Sequence, residues 1–238
     1  MRMRRPSEVR AAPKDWIAIL QVAYKTLLNY GISNLLLFGS QAMSFYMNTP
    51  LRSKDLDLLT DQMGPTHLEE LTRALTRQQP ADAEVRTTDV HTRFFQNRIM
   101  RTYSVELRVR KRPFFVEIFD AVLDGRPPSI VTPYVQQGKK WNVDLWVPTP
   151  EAVVSLRLCF RQPEGISRLN ASRLNLFIKE KKAHLNEQAI GRIIFSWGQA
   201  ELVRKNLNQL EKLHKIKIRT QEKILEGIKN AEQHQRSV

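Results

Sequence analysis

The sequence predicts an α/β protein (α+β in sheet style), in which a mixed β-sheet with helices packed behind it is followed, from about Thr149, by a helical C-terminal region. Three observations lead there. The stretch Leu35–Thr60, LLLFGSQAMSFYMNTPLRSKDLDLLT, reads as strand, tight turn, helix, turn and strand. Tyr103–Arg110 alternates cleanly, with Val105, Leu107 and Val109 opposite Glu106, Arg108 and Arg110, and a basic turn at Lys111-Arg112-Pro113 sends it back as Phe114–Asp120, a hairpin. Beyond Thr149 the apolar residues recur at helical spacing almost to the end.

Residues 1–13 carry Arg2, Arg4, Arg5 and Arg10 and are expected to be a basic, disordered segment. Asp15 is expected to cap a helix to about Asn29, with Trp16, Ile17, Leu20, Ala23, Leu27 and Leu28 apolar and Gly31 as its stop. After Thr60, Pro65–Gln78 predicts an amphipathic helix through Leu68, Leu71 and Leu75, broken by Pro80; His67 reads as a surface residue. Ala83–Thr88 suggests a short strand, and Arg93–Met100 fits strand or loop. Asp124-Gly125-Arg126-Pro127-Pro128 is turn chemistry, Gly138 to Asn142 a basic loop, and Val143–Val147 a strand. Thr149 then stands as N-cap with Pro150 at the first helical position. Helices are expected over Ser172–Lys182 and Asn186–Ser196, and one long helix from Glu201 to about Gln233. This gives three parts: 1–13, a domain over 14–148, and a helical region over 149–238.

The composition narrows the function classes. With one cysteine, Cys159, no intrachain disulfide can form, and no apolar run approaches the length of a membrane span. The basic N-terminus lacks the apolar stretch of a secretory signal, so a cytoplasmic protein without membrane contact is expected. A net charge of +14 favours a polyanionic partner, nucleic acid first among them. There is no Gly-x-x-x-x-Gly-Lys, Gly-x-Gly-x-x-Gly, Gly-x-Ser-x-Gly or Cys/His zinc spacing.

The chemistry concentrates in Leu35–Thr60. Gly39 lets backbone approach a ligand, and Ser40 offers a hydroxyl near a helix N-terminus, where unpaired N–H groups favour a phosphate. Strand alternation puts Asp55 and Asp57 on one face and Leu56 and Leu58 on the other. Two carboxylates so placed repel unless a cation lies between them, and Mg²⁺ or Mn²⁺ fits, since such ions bridge carboxylates to substrate phosphates. Glu117 interrupts the otherwise apolar FFVEIFD and needs a partner there.

Gly39-Ser40, a helix and then Asp55-Leu56-Asp57 resembles the nucleotidyltransferase superfamily of the polymerase-beta type. Ala42, Arg52, Ser53 and Asp55-Leu56-Asp57-Leu58 are similar to the AbiEii-like toxin nucleotidyltransferases. The resemblance implies a nucleotidyltransferase-type mixed sheet and a third acid from a neighbouring strand. Glu117 matches that acid and Asp120 competes for the role from the strand end. It implies Asp55, Asp57 and Glu117 as catalytic and metal-holding residues. Gly39, Ser40, Arg52, Ser53 and Lys54 would lie at the nucleotide, with Arg157 joining from the later helix. The substrate would be an NTP, the acceptor RNA (tRNA ends) or a protein hydroxyl, and the setting a toxin–antitoxin or phage-defence pair with a cognate antitoxin. The relatives usually place Lys at Arg157 and, further on, an Arg followed by a Lys-Asp/Asp pattern; here Arg161 and Arg168–Asn175 take that place, with Asn170 and Asn175 instead of the acids. That departure keeps a second reading open, a catalytically silent protein of this fold that binds nucleic acid or a partner. A small-molecule transferase of the antibiotic-modifying kind fits less well, because the positive charge opposes a cationic substrate.

Overall fold

Pro13–Asn29 forms α1. Proline suits the first helical position because its missing N–H would be unpaired there anyway. Ala12, not Asp15, is therefore the N-cap, and Asp15 lies buried in the first turn, paired with Arg110 at 3.0 Å. The helix ends as the glycine predicts. Gly31, at φ 91°, donates its N–H to Leu28 and Ile32 donates to Leu27, a Schellman closure that buries Ile32.

The computed structural model describes residues 10–95, 97–160 and 166–236. The expected disordered segment lies outside them for residues 1–9; Ala11 is already bridged to Ser53, its N–H 2.7 Å from the Ser53 carbonyl. Two units divide the chain, one running to Ser129 and including Gln136–Val147, the other comprising Ile130–Val135 and Pro148–Val238.

In the first unit, β1 (Leu36–Leu37) leads into α2 (Gly39–Tyr46), then β2 (Asp55–Leu59), α3 (Pro65–Gln78), β3 (Glu84–Phe95), β4 (Arg98–Val109), β5 (Arg112–Phe119), β6 (Val135–Lys140) and β7 (Val143–Pro148). The seven strands form one sheet in the order β3-β4-β5-β2-β1-β7-β6. It is mixed: β2 runs parallel to β5 and β1 to β7, while β1–β2, β3–β4 and β4–β5 are antiparallel. One face is apolar, through Leu56 and Leu58, Val105, Leu107 and Val109, and Phe114, Val116 and Ile118, all buried. Helices α1 and α3 pack together on this side. Each such side chain contributes about 1.5–3 kcal/mol on burial. The buried Tyr24 hydroxyl donates to Leu35 O at 2.7 Å and accepts from Trp146 N at 3.0 Å, so α1 ties the chain before β1 to β7; burial raises its pKa to about 12.

Three sequence expectations fall short here. The β3–β4 arm is far longer than Ala83–Thr88 and Tyr103–Arg110, because β3 is exposed along most of its length and shows no alternation to read. Gly138 to Asn142 is not a loop: β6 occupies it through Lys140, and Trp141 and Asn142 turn the chain with φ of 54° and 59°. Its polar sequence, VQQGKK, hides a strand at the sheet edge. The turn before β5 also shifts, with Arg110 and Lys111 holding the positive φ values.

The second unit holds α4 (Pro150–Leu158), α5 (Arg168–Lys181), α6 (Glu187–Ser196), α7 (Ala200–His214) and α8 (Gln221–Arg236). Thr149, Ser167 and Asn186 cap α4, α5 and α6 with their side chains. The long C-terminal helix is two, broken where Lys215 enters the left-handed region at φ 55°. Asn175 fixes the connection: its amide donates to Lys217 O at 3.0 Å and accepts from Arg219 N at 2.7 Å, while Ile218 is buried. Where α6 crosses α8, Gly191 and Gly227 bring the backbones together; a Cβ on Gly191 would stand 2.5 Å from Ile224 O. Among the described residues, no helix is long and apolar enough to cross a membrane.

Candidate active site

On the face opposite the helices, β2 and β5 display acids. Parallel pairing sets Asp57 beside Glu117 and Asp55 beside Phe115. Alternation leaves Asp55, Asp57 and Glu117 half-exposed while Leu56, Leu58 and Val116 are buried behind them. Ligand oxygens of all three acids lie within 4.8 Å of one another. Asp120, the competitor, closes the end of the arm: its carboxylate accepts from Arg101 N at 2.6 Å and faces the Arg101 guanidinium at 3.7 Å.

The turn above the acids is as the residue types require. Gly39 has φ 61°, and a Cβ there would stand 1.7 Å from Asp57 Oδ2, so only glycine fits. Phe38 N donates to Asp57 O at 3.0 Å, fastening the turn to β2. Ser40 is buried, its hydroxyl 2.9 Å from that of Ser53, and Ser53 donates to Asp55 Oδ1 at 2.8 Å. The two serines thus form a relay that orients the first carboxylate. Gln41, fully buried, donates to Asp55 O and accepts from Asp57 N at 3.5 Å, gripping the strand between the two acids.

Burial, then the nearby Asp55 charge, raises the Glu117 pKa above its ordinary value; Lys54, Arg93 and His91 oppose the shift. Arg93 and His91 are exposed on β3, two strands away from Glu117, and His91 pairs with Asp89 at 3.3 Å. Registers carry one row across four strands: Asp89, Ser104, Glu117, Asp57. Glu106, expected on an exposed face, is half-buried and shares the acids' face through its pairing with Phe115.

The remaining predicted residues separate. Lys54 is exposed and acts on Glu117 electrostatically. Arg52 lines a pocket with Arg10, Arg110 and Arg112. Arg157 belongs to the second unit, half-exposed in the last turn of α4, and Arg161 lies outside the described residues. His67 is no idle surface residue, since its Nδ1 accepts from Gly64 N at 3.1 Å and caps α3.

Sequence reasoning missed Gln41, Lys140, His91 and Arg93. Gln41 had one signal, a polar residue directly after Gly39-Ser40 on a helix otherwise apolar at Ala42 and Met43. Lys140 had none. Its ammonium donates to the carbonyls of Ser44 (3.0 Å), Phe45 and Met47 (2.9 Å), closing the C-terminal end of α2 from the sheet edge.

No protein-family model matches the chain, and no curated protein matches its sequence. Among solved structures, it is similar to JHP933 from Helicobacter pylori, with 16% identity and a TM-score of 0.49 over 95% of this chain and 97% of that one. It is similar to an antigenic nucleotidyltransferase-like protein from Paracoccidioides brasiliensis, with 12% identity and a TM-score of 0.48 over 91% and 94% of the two chains. The Megavirus polyadenylate synthase shares 16% identity at a TM-score of 0.36, over 91% of this chain and 39% of the synthase.

Proposed function

We propose that this chain is a metal-dependent nucleotidyltransferase that moves an NMP from an NTP to an acceptor hydroxyl on RNA, with tRNA ends the first candidates. The observation that supports it is the meeting of Asp55, Asp57 and Glu117 beneath the Gly39 turn. Three hard oxygen donors this close suit Mg²⁺ or Mn²⁺. Such ions, when bound, would screen the phosphates and lower the pKa of the acceptor hydroxyl.

The chain's own groups divide the work. Asp55, oriented by Ser53, would hold a cation on the triphosphate side alongside Gly39-Ser40, and Asp57 would hold one together with Glu117 on the acceptor side. Glu117 stands on the acceptor side. Without a cation, burial and the Asp55 charge raise its pKa; held beside the acceptor, its carboxylate would take the hydroxyl proton. The acceptor oxygen bonds to the α-phosphorus, the bond to the bridging oxygen breaks, and pyrophosphate leaves. Lys54 lies close enough to offset developing charge. The +14 charge supports an RNA acceptor, and a cytoplasmic setting suits a chain with one cysteine. A toxin role with an antitoxin partner, or a protein acceptor, rests on the resemblance alone.

A second reading, a silent nucleic-acid-binding protein of this fold, has one observation in its favour. Asn175, where relatives place an acid, is committed to holding the 217–219 backbone. Transfer of label from each α-³²P-NTP with Mg²⁺ onto total tRNA and onto the protein itself separates the two. Label that disappears in Asp55→Ala/Asp57→Ala supports the transferase; no label from folded wild type with any NTP leaves the silent reading.

A further inference from the structure

β3 ends the sheet, and among the described residues no strand pairs with its outer edge. Such an edge offers a row of backbone N–H and C=O groups to another strand, and natural proteins keep their edges short, bulged or covered. This one is twelve residues long, and ten of them are exposed. Its register against β4 shifts between Val85 and Thr87 and then runs unbroken over residues 87–95, whose midpoint is His91.

Pleating divides that stretch between two faces. Asp89, His91 and Arg93 share the face of the acids, while Thr88, Val90 and Phe94 lie on the side of α3. On the α3 side Phe94 is 75% exposed, beside its β4 partner Ile99 at 46%. Large apolar groups set together in this way mark a contact surface. The same side holds a groove of about 480 Å³ between α3 and β3, whose lining includes Pro65, Leu68, Thr72, Thr88 and Val90. Phe94 cannot fill the groove of its own chain, because Thr88 lies six residues back, about 20 Å along an extended strand.

Symmetry selects the occupant. Let a second β3 run antiparallel along the first, with His91 facing His91; each face then continues on its own side. Three residues out from the axis, Phe94 of one copy stands beside Thr88 of the other, at the groove. Two residues out, Asp89 meets Arg93, a favourable cross-strand pair. One residue out, Val90 meets Thr92. Asp89 keeps the contacts of its own chain, accepting from Val90 N at 2.7 Å and facing His91 at 3.3 Å, and its carboxylate has lone pairs left for a guanidinium. An axis at Val90 would instead put Phe94 against Arg86, inside the register shift. An axis at Thr92 would set His91 against Arg93. Protruding ring, seat and both charges thus lie on one strand, balanced about one residue, which is the self-complementarity a twofold dimer requires.

We propose that two copies of this chain pair β3 to β3, antiparallel around His91, each lodging its Phe94 in the α3–β3 groove of the other. The two seven-stranded sheets become one continuous sheet, and both acid clusters open on the same side of it. The pairing is independent of nucleotide transfer.

The test is sedimentation equilibrium of the full chain at micromolar concentrations, with thermal melts to confirm that each variant is folded. Wild type is compared with Phe94→Glu, Asp89→Arg, Arg93→Asp and the exchanged pair Asp89→Arg/Arg93→Asp. Wild type should be a dimer. Phe94→Glu and each single charge reversal should raise its Kd at least about tenfold, since the twofold axis repeats every change. The exchanged pair should dimerise nearly as wild type does, because its charges again oppose each other across the axis. A monomeric wild type overturns the proposal. A dimer indifferent to Phe94→Glu and to the reversals places the interface elsewhere and overturns it too. An exchanged pair no tighter than the single reversals overturns the pairing around His91.

Discussion

The Asp57 carboxylate lies directly under the Cα of Gly39, 1.7 Å from where any Cβ would be. The turn and the strand therefore specify each other: the acid can occupy its place only because the residue above it has no side chain. Gly39→Ala must displace one or the other, and at φ 61° it adds backbone strain as well. The expected cost is about 1–3 kcal/mol of stability, together with loss of nucleotide transfer. Urea unfolding and the α-³²P assay, run on the same preparation, measure the two.

Metal binding should be visible without turnover. A cation held by Asp55, Asp57 and Glu117 binds the folded chain alone and stabilises it by about 2.7 kcal/mol at a hundredfold excess over its Kd. Melting temperature should climb with Mn²⁺ in wild type and stay flat in Asp57→Asn. A climb that persists in Asp57→Asn would place the ion elsewhere.

Glu117 sets a pH dependence whose sign is fixed by its raised pKa. The folded state retains a proton that the unfolded state has already released. Metal-free stability from this group is therefore greatest below the ordinary glutamate pKa of 4.5, and is lost as pH rises toward the folded value. Glu117→Gln should flatten that segment of the stability–pH curve and raise metal-free stability at neutral pH, while removing the gain from Mn²⁺. Thermal melts from pH 4 to 8, with and without chelator, report all three.

In the helical unit, the Gly191–Gly227 crossing leaves no room for a methyl group. A Cβ at Gly227 would stand 2.6 Å from Gln188 O, a backbone atom that cannot swing aside. Gly227→Ala should cost about 1–3 kcal/mol, as overpacking of a tight contact does. A denaturant midpoint equal to wild type would show that the two helices part without penalty.

Much of the site was legible because its signals are local. Gly39, the alternation of Asp55 and Asp57, and the lone carboxylate in an apolar strand at Glu117 each read within a few residues. Only the parallel register of β2 with β5, however, brings Glu117 to the aspartates. What stayed hidden depends on partners distant in sequence. Ser53 was named through the resemblance, but its bonds were hidden: Ala11 pairs with its backbone and Ser40 with its hydroxyl. β6 has no hydrophobic pattern because it is an edge, and the break at Lys215 lies inside a run whose helical spacing continues on both sides. The exposed β3 follows the same logic: an arm packed on few neighbours leaves few apolar positions to count.

Lys140 joins two parts that the chain keeps almost a hundred residues apart, since its ammonium holds three carbonyls at the end of α2 from the β6 edge. Helix α2 also carries Gly39 and Gln41, so the roof of the acid site and the β6–β7 hairpin are mechanically one piece. Closure over a substrate cannot tilt that helix alone; it must swing the hairpin too, or first break three charge-assisted bonds. Amide exchange in the hairpin should therefore slow when a nucleotide binds some distance away, and Lys140→Met should uncouple the two.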